Sequence, residues 1–255
     1  MASVDRTVRD DMTWQTLSFH FKQTFDGGYR FLDKCGEFML AAGDKMNFVP
    51  GEAKPTGGKL EIPEKGVSVT FNAIEMSASQ EFASDNGDFF VSLCSGLVAL
   101  VSDYFKPRSI LSNGFALKSY WPSHTADDLL SASLTLGGNF QVDLGKVLGM
   151  APKSKKLDYF FASGSTDFHV VVEPVTFERV NLPRKNANFR ANRLERGRVD
   201  RYNRFATHVN TDLEHAILMT RDIIENDPPD ATPLKPLFGE LRRQNEVLRK
   251  LLTLK

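Results

Sequence analysis

Two hydrophobic rhythms alternate along the first half of this chain, and together they restrict it to a mixed α and β fold. Leu17, Phe19 and Phe21 occupy every second position around Ser18 and His20. Val67, Val69 and Phe71 repeat the pattern against Ser68, Thr70 and Asn72. Period two marks a strand with one buried face. Elsewhere the spacing changes to three and four, first through Leu32, Cys35, Phe38, Met39 and Ala42. It returns in Phe90, Leu93, Cys94, Leu97, Leu100, Val101 and Tyr104. Each of these rows is one face of a helix.

Turn residues divide the rhythms into elements. Asp26-Gly27-Gly28 separates a strand over 13–22 from a helix over 29–42, with Gly43 placed to stop it. Pro50, Pro55, Gly57 and Gly58 make 47–63 a loop with a short edge strand at 59–62. Asp85-Asn86-Gly87-Asp88 opens the second helix, Pro107 closes it, and 110–120 reads as a further strand with Phe115, Leu117 and Trp121 in register. The order is β-α-β-β-α-β, so residues 1–122 are expected to form a ferredoxin-like α+β half.

Residues 123–226 admit two readings: a degenerate second copy of that half, or further elements of a single α+β domain. For duplication, Lys156-Leu157-Asp158 parallels Lys59-Leu60-Glu61, each ahead of a turn and a strand. Leu130, Ala132, Leu134 and Leu136 alternate as a strand, and 142–150 reads as a short helix. Ser163-Gly164-Ser165-Thr166 suits a hairpin turn into a strand over 168–177. A strand is expected over 199–209, and Thr211-x-x-Glu214 has the form of a capping box for a helix to about residue 226. Residues 227–233 form a Pro-rich linker. In the last element, 234–255, Leu234, Leu237, Leu241, Leu248 and Leu251 share one stripe. Such a helix either packs on its own sheet or pairs with a partner chain.

Charge is distributed unevenly. The chain is formally neutral, yet 179–204 holds Arg179, Arg184, Lys185, Arg190, Arg193, Arg196, Arg198, Arg201 and Arg204 against only Glu195 and Asp200. That segment is +7 and the remainder −7. Guanidinium pairs bidentately with carboxylate or phosphate, so an arginine strip is suited to an acidic protein surface or a nucleic-acid backbone. It can also be answered internally by the acidic remainder. Base stacking on the sheet is not supported. The strand 65–72 begins like an RNA-recognition motif but carries Val67, Val69 and Asn72 where aromatics belong.

Catalytic signatures are lacking. Gly57-Gly58-Lys59 is not a phosphate loop, and neither Ser95 nor Ser165 lies in a nucleophile elbow. Cys35 and Cys94 fall on apolar helix faces and read as reduced core residues. The one histidine set of interest is His208, Asp212 and His215. With Asp212 and His215 on one helical turn it has zinc- or iron-type donors, though an acidic residue there is also ordinary helix capping. No secretory h-region opens the chain, and no apolar run is long enough for a bilayer.

The expectation is therefore a cytoplasmic, non-enzymatic binding or assembly module without cofactor, metal or membrane contact. It would engage an acidic protein through Arg184, Lys185, Arg190, Arg193, Arg196, Arg198, Arg201 and Arg204, or self-associate through the leucine helix. The alternatives are an RNA- or DNA-binding protein using the same arginines, and a metal-dependent enzyme centred on His208, Asp212 and His215.

Overall fold

Strand β1 (Gln15–Asp26) is the axis of the molecule, because it pairs antiparallel with β5 (Glu75–Glu81) on one side and β6 (Ser109–Ser123) on the other. The computed structural model describes residues 14–27, 30–54, 56–81, 83, 86–123, 156–176, 215–229 and 233–252. Between β1 and β5 come α1 (Phe31–Met46), β2 (Val49–Lys54), β3 (Gly57–Ile62) and β4 (Val67–Phe71). After β5 come α2 (Asp88–Tyr104), β6, β7 (Leu157–Ser163), β8 (Thr166–Thr176), β9 (His215–Asn226) and α3 (Leu234–Leu252). The nine described strands form one sheet in the order β2-β3-β4-β5-β1-β6-β9-β8-β7, with every recorded pairing antiparallel.

The protein is thus a mixed α+β fold with one large antiparallel sheet, whose nine described strands exceed the four of the expected ferredoxin-like half. Both β5 and β6 oppose β1, so they run parallel to each other, and α2 makes the crossover that parallel strands require. α1 makes the longer crossover, from β1 to the far edge strand β2. A meander, β2 to β5, then returns to β1. The strands β2 and β5 are absent from the sequence expectation, which treated most of 47–63 as loop. Pro50 and the exposure of all β2 residues fit an edge strand, where a missing N–H costs nothing. β5 reads Glu-Met-Ser-Ala-Ser-Gln-Glu, and its buried row of Met76, Ala78 and Gln80 is too small and polar to announce a strand.

Two further elements differ from expectation. α1 does not stop at Gly43 but runs to Met46, where Asn47 takes the left-handed conformation (φ 58°) and donates its N–H to the Gly43 carbonyl. Asparagine tolerates that region through its short polar side chain. The helix expected over 211–226 is instead β9 from His215 onward. Its buried row of Ile217, Met219, Arg221 and Ile223 has period two, with the arginine concealing it. β9 pairs with β6 and β8 on its two sides, and this tertiary pairing overrides any local helical preference. The expected strand 199–209, the elements at 130–136 and 142–150, and the capping pair Thr211 and Glu214 lie outside the described residues. The hairpin turn is as expected: Ser163 pairs with Thr166 across Gly164 (φ +61°) and Ser165.

All three described helices cover one face of the sheet, and phenylalanine fills the space beneath them. Phe38 meets Phe71 and Phe105 at ring-centroid distances of 4.7 Å, and Phe21 meets Phe115 at 4.8 Å. α3 extends this core by inserting Phe238 between Phe19 (5.6 Å) and Phe115 (5.1 Å). Gly87 (φ +87°) opens α2 directly under Phe238, where a Cβ would collide with that ring. Arg242 Nη1 ties α3 to Asp88 on α2 at 3.0 Å. A second, smaller cluster of Val170, Val172, Ile217 and Met219 lies farther along, packed by Trp14, Leu157 and Leu248. No helix among the described residues is long and apolar enough to cross a membrane.

Candidate functional site

The β7 edge of the sheet carries the most exposed aromatic surface among the described residues. From Asp158 to Ser163 every residue of β7 is exposed. Tyr159, Phe160 and Phe161 follow one another there at 44%, 76% and 56% exposure. Successive strand residues alternate faces. Phe160, opposite His169, therefore stands on the face away from the helices, and Tyr159 and Phe161 stand on the helical side. The Phe160 ring lies flat on the His169 imidazole, 4.0 Å away with 6° between planes.

His169 on β8 is clamped by two carboxylates. Its Nδ1 is 3.2 Å from Asp222 Oδ2 on β9, and its Nε2 is 2.6 Å from Asp158 Oδ1 on β7. Lys156 Nζ reaches the other oxygen of Asp158 at 2.7 Å. That lysine hydrogen bond, then the one from His169, holds the Asp158 carboxyl below the usual carboxylate range. Both imidazole nitrogens thus lie within hydrogen-bond distance of a carboxylate. Among the described residues no group of three or more His, Cys, Asp or Glu has metal-holding geometry.

Beside this clamp lies a groove of about 410 Å³ lined by Phe160, Phe161, Phe168, His169, Asp222 and Ile224. Asp167 is at its rim, accepting from Asn226 Nδ2 at 2.8 Å. Aromatic rings joined to carboxylates suit a guanidinium or ammonium group, which stacks on the one and pairs with the other. Glu173 and Glu225 add further negative charge to β8 and β9.

The residues singled out in the sequence are dispersed. Arg184, Lys185, Arg190, Arg193, Arg196, Arg198, Arg201 and Arg204 lie outside the described residues. So do His208 and Asp212. His215 is the first residue of β9, not part of a helical turn, which removes the geometry expected to bring it beside Asp212. On α3, Leu234 and Leu241 are buried in the main core and Leu237 packs against it, while Leu248 packs on the second cluster. The backbone of Leu251 belongs to the same helix. Cys94 is buried and Cys35 half-buried, and burial pushes both thiols up, away from nucleophilic use.

The aromatic triplet Tyr159-Phe160-Phe161 did not stand out in the sequence, where a turn and not a strand was expected between residue 158 and the strand over 168–177. The adjoining Asp158 and the nearby Ser163-Gly164 turn were the signals that this strand lies at an edge. Compared with models of known protein families and with curated proteins, the chain matches none.

Proposed function

We propose that this chain is a non-enzymatic binding or assembly module whose basic segment, 179–204, engages an acidic protein surface, and that a second copy supplies that surface at its β7–β9 end. The supporting observation is the exposed groove, where Phe160 stacks on His169 between Asp158 and Asp222. Its chemistry complements arginine. The same chain holds a +7 segment and a −7 remainder, so copies are complementary to one another. A strand edge that has no paired neighbour among the described residues and bears apolar side chains is itself a common site of association. α3 is the weaker choice of contact surface, because its buried stripe is spent on its own sheet.

Light scattering and sedimentation across concentration and salt test this reading. The expected result is salt-sensitive association that falls at least tenfold in Phe160→Asp and in Arg190→Glu/Arg193→Glu/Arg196→Glu, with melting temperatures close to the parent. Association that persists in both variants would sink it. If nucleic acid co-purifies with the protein and depends on the three arginines but not on Phe160, the nucleic-acid reading replaces it.

A further inference from the structure

Under α3 a polar layer separates the two hydrophobic clusters. On β9, Arg221 interrupts the buried row between Met219 and Ile223. On β6, Ser119 stands between Leu117 and Trp121, and on α3, Asn245 lies between Leu241 and Leu248. Arg221 Nη2 donates to Ser119 Oγ at 2.8 Å. Arg249 Nη2, one helical turn beyond Asn245, donates to the same oxygen at 2.9 Å and to Thr16 Oγ1 at 3.1 Å. One neutral hydroxyl therefore gathers two guanidinium groups. Having accepted twice, it has its own proton to donate onward.

The layer is not closed by its own contacts. Arg221 is 1% exposed, yet its Nε and Nη1 are buried without a hydrogen-bond partner. Asn245 Oδ1, an acceptor in the same layer, is buried and unbonded as well. No described carboxylate bonds Arg221. Burial, and then the like charge of Arg249, hold its guanidinium well below its ordinary range. A buried, unopposed charge of this kind is costly. A water molecule would satisfy the N–H groups without offsetting the charge. An oxyanion does both, and tetrahedral phosphate can accept from two guanidinium groups and a hydroxyl together.

We propose that Arg221, Arg249 and Ser119 form a buried site for a small phosphate-type oxyanion, with half-exposed Arg249 on the side nearer solvent. Calorimetric titration and thermal melting of the full chain in inorganic phosphate, against chloride at matched ionic strength, test it. The expected result is saturable uptake of one phosphate per chain with a rise in melting temperature. Arg221→Met keeps the length of the side chain and removes its donors, and is expected to abolish uptake. Arg249→Met is expected to weaken it at least tenfold. Uptake is expected to survive Arg190→Glu/Arg193→Glu/Arg196→Glu. No saturable uptake by the parent overturns the proposal, as does uptake that is unchanged in Arg221→Met and lost in the triple variant. Should Arg221→Met fail to fold, Arg249→Met and Ser119→Ala decide, and unchanged affinity in both overturns it.

Discussion

His20 stands on the face of β1 away from the helices, with Ser18 Oγ 2.9 Å from its Nε2 and Ser79 and Ala116 as cross-strand neighbours. Burial, and then the charge of Lys118, lower its pKa from about 6.5 to about 4. The unfolded chain takes up this proton near pH 6.5, whereas the folded chain holds the ring neutral down to about 4. Between those values the unfolded state binds more protons, so His20 makes stability fall as pH falls. The loss is at most about 3–4 kcal/mol over this window, at about 1.4 kcal/mol per pKa unit. Urea titrations of His20→Gln are expected to show a flatter decline from pH 6.5 to 4 than the parent. Parallel curves would place the acid sensitivity elsewhere. The residues of the core were largely legible beforehand, because phenylalanines at strand or helix spacing have few places to go but inward. Arg221 was not. A single arginine in an apolar row reads as the solvent side of a helix, and only pairing on both edges of β9 shows that it points inward.

At the level of elements, α3 draws its stability from a few positions. Leu241 is 1% exposed in the main cluster beside Phe238, whereas Leu248 is half-buried on the smaller one. A carboxylate at Leu241 would be buried without a partner, while one at Leu248 can turn toward water. Leu241→Asp is therefore expected to cost at least about 3 kcal/mol in urea denaturation and Leu248→Asp clearly less, since removing a buried leucine alone costs about 2–5 kcal/mol. Equal, small costs would mean that α3 is not docked as described. The long elements β1, α1, α2, β6 and α3 were legible because each carries a sustained period. β2, β5 and β9 were not, for three different reasons: a proline-marked edge, a buried row of small and polar side chains, and an arginine within an apolar row. Each is a strand because its neighbours make it one, and pairing of this kind is not written in local sequence.

At the level of the molecule, hydrogen bonding joins the two halves that the sequence led one to expect. β6 from the first half and β9 from the second pair over twelve consecutive positions, from Ser112 opposite Asn226 to Ser123 opposite His215. α3 adds a second joint, since Phe238 and Leu241 lie in the same cluster as Phe19, Phe90 and Phe115. Two autonomous halves would need separate cores. Here Ile223 of β9 belongs to the core of the first half, and Trp14, the residue before β1, packs on the cluster built by β8 and β9. Unfolding is therefore expected as one cooperative transition, with calorimetric and van't Hoff enthalpies equal. The chain's two tryptophans provide a local check. Trp14 and Trp121 meet edge to face at 5.4 Å beside the smaller cluster, so their fluorescence reports that end alone, while far-ultraviolet dichroism reports the whole sheet. Coincident midpoints from the two probes are the expected outcome. A tryptophan transition that comes several degrees earlier would mean that β7 to β9 melt as a separate unit, despite the continuous β6–β9 ladder.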